Sequence, residues 1–173
     1  MGTIQSSPQV AQWVGADAGE EVRRRSAIAL AAARAGLPFN FDQWDGYPVA
    51  RERLYAAMTA AKASPIVLSG DSHAFWANEL HDAGGARVAA EFGATGVTSP
   101  GIGDVLAGAP LNEALVERNK EVRYTDHAAK GFVLLTLTRE AATGRWWRCP
   151  PSSRRLTRRA RSSASGSRRP KAG

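Results

Sequence analysis

Several features that would assign a function at once are missing from this sequence of 173 residues. Its one cysteine, Cys149, excludes an intramolecular disulfide and a cysteine-rich metal site. No run of about 18 apolar residues is present, so no segment has the composition of a membrane-spanning helix. The first residues lack the basic and apolar regions of a secretory signal. Glycine-rich phosphate loops and the Gly-x-Ser-x-Gly elbow of serine hydrolases are also absent.

Acidic residues are missing from one end of the chain. Ten of the 23 Lys and Arg lie between residues 145 and 173, where there is no Asp or Glu, so the preceding residues carry 13 basic against 16 acidic side chains. Ser, Arg and Pro dominate this end, and such a composition cannot bury enough apolar surface to offset its chain entropy. We therefore predict a folded domain over residues 1–148 and a disordered, basic Arg/Ser-rich tail over 149–173.

Two helices are predicted in the first part of the chain. Acidic residues at the start and a glycine just past the end mark a helix over residues 20–35, and its Ala, Ile and Leu content predicts that it is buried. Proline suits the first turn of a second helix, which begins at Pro48. The apolar positions of that helix predict one core-facing stripe: Ala50, Leu54, Ala57, Met58 and Ala61.

Short apolar runs predict the strands. Residues 65–69 are apolar and partly β-branched, and we expect a buried strand there. Residues 86–92 and 131–138 have similar patterns, and residues 144–147 are expected to start an edge strand.

The strongest local feature is the sequence Gly-Asp-Ser-His at residues 70–73, directly after the first predicted strand. Ligands gather at the carboxyl ends of strands in open α/β sheets. The carboxylate of Asp71 and the imidazole of His73 can converge on one cation or on two neighbouring ones, and this donor mix suits Zn, Mn or Fe. Alternatively, Asp71 caps the following segment and His73 is an ordinary hydrogen-bonded residue.

Other candidate groups lie elsewhere in the chain. Asp45 follows several aromatic residues, and it could be a further metal ligand or a substrate contact. Alternatively, it is an Asx-type loop carboxylate that caps the helix beginning at Pro48. The remaining histidines, His81 and His127, lie in polar, turn-like sequence, and we predict that both are solvated.

Several blocks of the sequence together resemble one known family. The first contains Trp-Asp-Gly-Tyr-Pro and two arginines, and the second contains Val-Leu-Ser-Gly-Asp-Ser-His. The blocks follow one another in the family's order, at residues 39–53, 67–77, 91–101 and 119–138. On these blocks the chain resembles the alkaline phosphatase D family of metallophosphoesterases over about residues 1–145.

The resemblance implies an α/β fold that is part of a metallophosphoesterase-type β-sandwich with flanking helices. It implies metal-dependent hydrolysis of phosphate monoesters or diesters, with iron and calcium, or other metals such as Zn or Mn, as cofactors. Asp71 and His73 match the family's metal motif and Asp45 matches the acid of the first block, so the resemblance implies that all three are ligands. The implied partner is a phosphate ester substrate, and the family's enzymes are usually exported.

Departures from the family pattern lead to further expectations. The family's upstream motifs have no counterpart here, so we expect the C-terminal portion of a longer enzyme, weakly active or inactive alone. Such a portion would self-associate through its exposed sheet. From about Gly144 the sequence also departs from the family pattern, and we hypothesise a shifted reading frame.

A second interpretation is a non-enzymatic module. Clustered arginines bind phosphate groups and release counterions, so the Arg-rich tail predicts binding to nucleic acid or another polyanion. A steep loss of affinity with salt would favour this class. Hydrolysis of an aryl phosphate, restored by metal, would favour the enzyme.

Overall fold

Two β-sheets are present in the part of the chain that a computed structural model describes, residues 10–14, 19–38 and 40–150. The larger sheet has the strand order β1-β3-β2-β4, with β1 parallel to β3 and the other pairs antiparallel. Its strands are β1 (Ile66–Ser69), β2 (Phe75–His81), β3 (Arg87–Gly93) and β4 (Val122–Asp126). The smaller sheet is an antiparallel hairpin of β5 (Gly131–Leu137) and β6 (Ala142–Arg148).

The hairpin packs against one face of the larger sheet. The ring of Trp146 on β6 lies 5.0 Å from the ring of Tyr124 on β4 and 6.0 Å from the ring of Phe92 on β3. The Trp146 ring is tilted by 51° to each of the other two rings, a favourable arrangement for aromatic packing. The two sheets therefore form two stacked layers, as in a β-sandwich.

Helices flank the sheets. Besides a 3-10 turn at Trp44–Gly46, they are α1 (Val10–Trp13), α2 (Glu20–Arg34), α3 (Pro48–Ala60), α4 (Ile102–Val105) and α5 (Leu111–Arg118). Leu111 and Leu115 of α5 join Ala74, Trp76 and Val122 in a buried apolar cluster. This cluster holds α5 against β2 and β4, and it lies directly beside the turn that follows β1.

The predicted burial of two helices is wrong. In α3 the structure buries Arg51 and Tyr55, while Leu54 of the predicted stripe is 36% exposed. The reason is that Arg51 forms an ion pair with Asp45, which turns the 51–55 face of the helix inward. Helix α2 is not buried at Ile28, which is 57% exposed in the described part of the chain, although the helix is rich in apolar residues.

The mixed α/β class with flanking helices is confirmed, and it corresponds to part of a two-layered sandwich. Strand β6 continues without interruption through Gly144 to Arg148, past the position at which we hypothesise a change of reading frame. The basic tail from residue 151 onward lies outside the described residues, and so does the polyanion-binding role predicted from it. Every helix within the described ranges is too short or too polar to span a membrane.

Candidate metal-binding turn

The turn between β1 and β2, residues 70–74, holds two side chains that were predicted to bind metal. Asp71 and His73 both adopt left-handed backbone conformations, with φ angles of 62° and 53°. Such angles are unfavourable for residues other than glycine and cost about 1–3 kcal/mol each. Residues held in this way are concentrated at binding and catalytic sites. The backbone N–H of Ser72 donates to the carbonyl of Gly70 at 2.7 Å, which closes the turn.

A backbone carbonyl defines the orientation of the His73 ring. Its Nδ1 lies 2.6 Å from the carbonyl oxygen of Pro100. Because a carbonyl only accepts hydrogen bonds, Nδ1 carries the proton of the neutral ring and Nε2 keeps a lone pair. This is the arrangement in which a histidine commonly serves as a metal ligand.

The loop that supplies this carbonyl packs closely on the turn. A Cβ atom at Gly101 would lie 2.9 Å from the carbonyl oxygen of His73 and 3.0 Å from its Cβ. Real Cβ contacts are essentially never shorter than 3.0 Å, so glycine is needed for this approach. The loop therefore restricts the position of His73.

Asp45, the third predicted ligand, lies in a different setting. Its carboxylate pairs with Nη1 of Arg51, whose side chain is only 4% exposed. The neighbouring Tyr55 is also buried, and this burial raises its pKa to about 12. Asp45 thus connects the 3-10 turn to α3 through a buried ion pair.

Two of the three predicted ligands lie on this one turn. Asp71 is exposed and His73 is half-buried on the same turn, and their oxygen and nitrogen donors suit Zn, Mn or Fe. However, no group of three or more His, Cys, Asp or Glu side chains within the described ranges could hold a metal ion. The structure therefore places two predicted ligands together and does not unite them with Asp45.

His127 is buried, so the prediction that it is solvated is wrong. It is 5% exposed, and its ring packs edge-on against Trp76 with the ring centroids 5.0 Å apart. Its Nδ1 lies 3.0 Å from Oδ1 of Asn112 on α5 and 3.2 Å from the hydroxyl of Thr125. The apolar residues Val122 and Tyr124, two positions apart, were the available signal, because they indicate a strand that His127 directly follows. His81 is half-buried and contacts the carbonyl of Glu79.

We expect His127 to make the fold sensitive to acid. Burial lowers its pKa to about 4, although the nearby Asp126 acts in the opposite direction. A histidine in the unfolded chain has a pKa of about 6.5. As the pH falls, the unfolded chain therefore binds a proton at this histidine before the folded chain does. The neutral, buried His127 contributes about 3 kcal/mol of stability, which is fully present above pH 6.5 and is lost between pH 6.5 and 4.

Urea unfolding of the wild type and of His127→Gln, measured across this pH range, checks the expectation. The decisive quantity is the slope of stability with pH, because the substitution also lowers stability at every pH. The slope should be smaller in the variant. Equal slopes in the two proteins would contradict it.

A mixed α/β arrangement with a carboxylate and an imidazole on the turn after a strand belongs to the class of α/β proteins whose ligand sites lie at strand ends. Comparison with known families narrows this class. The PhoD-like phosphatase family model matches residues 6–146, and the chain belongs to that family. The family is generally metal-dependent.

A curated relative supports the same assignment. The chain is 32% identical over 106 residues to the alkaline phosphatase D of Bacillus subtilis strain 168. This alignment covers 58% of the chain and 18% of the relative. No solved structure matches the chain.

Proposed function

We propose that the chain contributes to a metal-dependent phosphoester hydrolase and that residues 70–74 supply two ligands of its metal centre. The observation that carries the proposal is the pair of left-handed donor residues, Asp71 and His73, on one turn after β1. The contact between His73 Nδ1 and the Pro100 carbonyl supports it, because it leaves Nε2 available to a metal. The family match supports the reaction class.

Each side chain has a definable task. The carboxylate of Asp71 would offer a hard oxygen and His73 would offer Nε2. This combination suits Fe, Mn or Zn, whereas calcium would bind only the carboxylate oxygens of Asp71. A bound metal would supply Lewis-acid stabilisation of charge on a phosphate ester and would lower the pKa of bound water.

Further ligands must complete such a centre, because two donors do not make a closed site. We propose that they come from residues outside the described ranges or from a second polypeptide. The fact that the alignment covers only 18% of the Bacillus relative supports this. Exposed apolar side chains on β1 and on the hairpin support association with another chain: Leu68, Phe132, Leu134 and Trp147 are 64%, 50%, 46% and 51% exposed.

We expect the purified chain to bind Mn²⁺ weakly at the turn. Paramagnetic broadening of the His73 and Asp71 resonances during a Mn²⁺ titration measures this binding. The variant His73→Ala should weaken it by at least about tenfold, because it removes a ligand. The matched control is His81→Ala, since His81 is a half-buried histidine outside the turn and should leave the affinity unchanged. Equal affinities for all three proteins would overturn the proposed site.

Hydrolysis of an aryl phosphate in the presence of Mn²⁺, or of iron with calcium, tests the reaction. We expect little or no turnover by the monomer. Turnover is measured on each fraction from size-exclusion chromatography, which gives the oligomeric state. Turnover in an oligomeric fraction that is lost in His73→Ala would show that a second copy completes the site. Turnover that persists in His73→Ala would contradict the proposal.

A further inference from the structure

A hydrogen bond links the metal-binding turn to the apolar core. The indole Nε1–H of Trp76 on β2 donates to the hydroxyl of Ser72 at 2.8 Å. Trp76 is 9% exposed and belongs to the buried cluster that α5 covers. Ser72 lies between the two proposed ligands in sequence, so this bond reaches the middle of the turn.

Two neighbours contact the indole ring, and a third residue holds one of them. His127 packs against it edge-on, and Asn112 holds the His127 ring at 3.0 Å. On the neighbouring strand, a Cβ at Gly93 would lie 2.9 Å from two side-chain atoms of Trp76, so β3 contacts the indole closely. A side chain packed in this way has little rotational freedom, and its N–H direction is accordingly well defined.

The turn needs such a restraint. Two left-handed residues other than glycine are energetically unfavourable, and a free turn would relax to other conformations. The Trp76–Ser72 hydrogen bond supplies one restraint, and the Pro100 carbonyl supplies a second through His73. The two contacts hold neighbouring residues of the turn.

We propose that Trp76 is a positioning residue. Its indole N–H fixes Ser72, and through Ser72 it keeps Asp71 and His73 in the conformation in which Nδ1 of His73 faces the Pro100 carbonyl. His127 and Asn112 serve by orienting the Trp76 ring. The inference rests on the proposed function of the turn, since positioning matters there only if Asp71 and His73 bind metal.

The test compares two tryptophan-to-phenylalanine variants in the full chain. Trp76→Phe keeps an aromatic ring and loses the N–H that binds Ser72. The control, Trp146→Phe, loses an indole N–H that is buried and has no hydrogen-bond partner among the described residues. Both changes remove the same atoms from buried aromatic packing, but only the first releases the turn.

Two readouts are used. The first is the ¹⁵N NMR signature of the His73 tautomer without metal in alkaline buffer, where imidazole is neutral. The second is Mn²⁺ affinity from paramagnetic broadening. Trp76→Phe should convert a single Nδ1–H tautomer into a mixture and weaken Mn²⁺ binding by about 10- to 100-fold. Trp146→Phe should change neither readout.

A second variant keeps the proposal testable if Trp76→Phe does not fold. Ser72→Ala removes the same hydrogen bond by deleting the hydroxyl that accepts it, and it should reproduce both effects. Ser72→Thr keeps the hydroxyl and should retain the single Nδ1–H tautomer of His73. An unchanged tautomer in both Trp76→Phe and Ser72→Ala overturns the positioning role. A changed tautomer without any Mn²⁺ binding by the wild type upholds positioning and overturns the proposed metal site instead.

Discussion

Asp45→Asn is expected to lower the free energy of unfolding by about 3–5 kcal/mol, because it leaves a buried guanidinium without its counter-charge. The partner, Arg51, is 4% exposed, and its Nε and Nη2 atoms are buried without hydrogen-bond partners in the described part of the chain. The charge of Asp45 is therefore the main compensation that Arg51 has. Urea unfolding monitored by circular dichroism measures the loss.

Two further variants separate the ion pair from other roles of Asp45. Asp45→Asn combined with Arg51→Met removes both charges and should recover most of the lost stability. Asp42→Asn changes a nearby exposed carboxylate and should alter stability by less than about 0.5 kcal/mol. A stable Asp45→Asn variant with weakened Mn²⁺ binding would contradict the structural role and favour the prediction that Asp45 is a metal ligand.

Phe75→Ala should destabilise the fold by about 3–5 kcal/mol, the usual cost of removing a buried phenylalanine ring. Phe75 is fully buried, at 0% exposure, and begins the central strand β2 immediately after the turn at residues 70–74. Its loss leaves a cavity where β2 pairs with β4, since Phe75 lies opposite Asp126. Thermal and urea unfolding both report the change.

The matched control is Phe132→Ala on the hairpin. Phe132 is 50% exposed and stacks on Trp147, with a ring separation of 6.2 Å. Its removal should cost about 1 kcal/mol or less, because half of its surface is already in water. Similar losses in the two variants would mean that Phe75 does not anchor the core in the way that its burial indicates.

Local patterns in the sequence predicted much of the fold. The helix at Glu20–Arg34 and the strands at Ile66–Ser69, Arg87–Gly93, Gly131–Leu137 and Ala142–Arg148 all lie close to the predicted ranges. Their end signals and apolar runs are short-range features, so they can be read from neighbouring residues alone.

The central strand β2 was missed because its stability depends on distant partners. Polar Asn78 is buried there, and its side-chain amide donates to Glu91 on β3 at 2.8 Å. Such a cross-strand bond offsets the cost of burying both groups, and it cannot be read from either segment alone. The burial of Arg51 in α3 has the same kind of cause, because it depends on the ion pair with Asp45.

By itself, the sequence determined the helical and strand segments with strong periodicity, the family resemblance and the choice of Asp71 and His73 as candidate ligands. Only the tertiary structure decided how these ligands are held. The contact between His73 and Pro100 joins positions 27 residues apart, and the packing of Trp76 on His127 joins β2 to the residue that follows β4. These contacts depend on chain segments that meet only after folding, and no local propensity encodes that meeting.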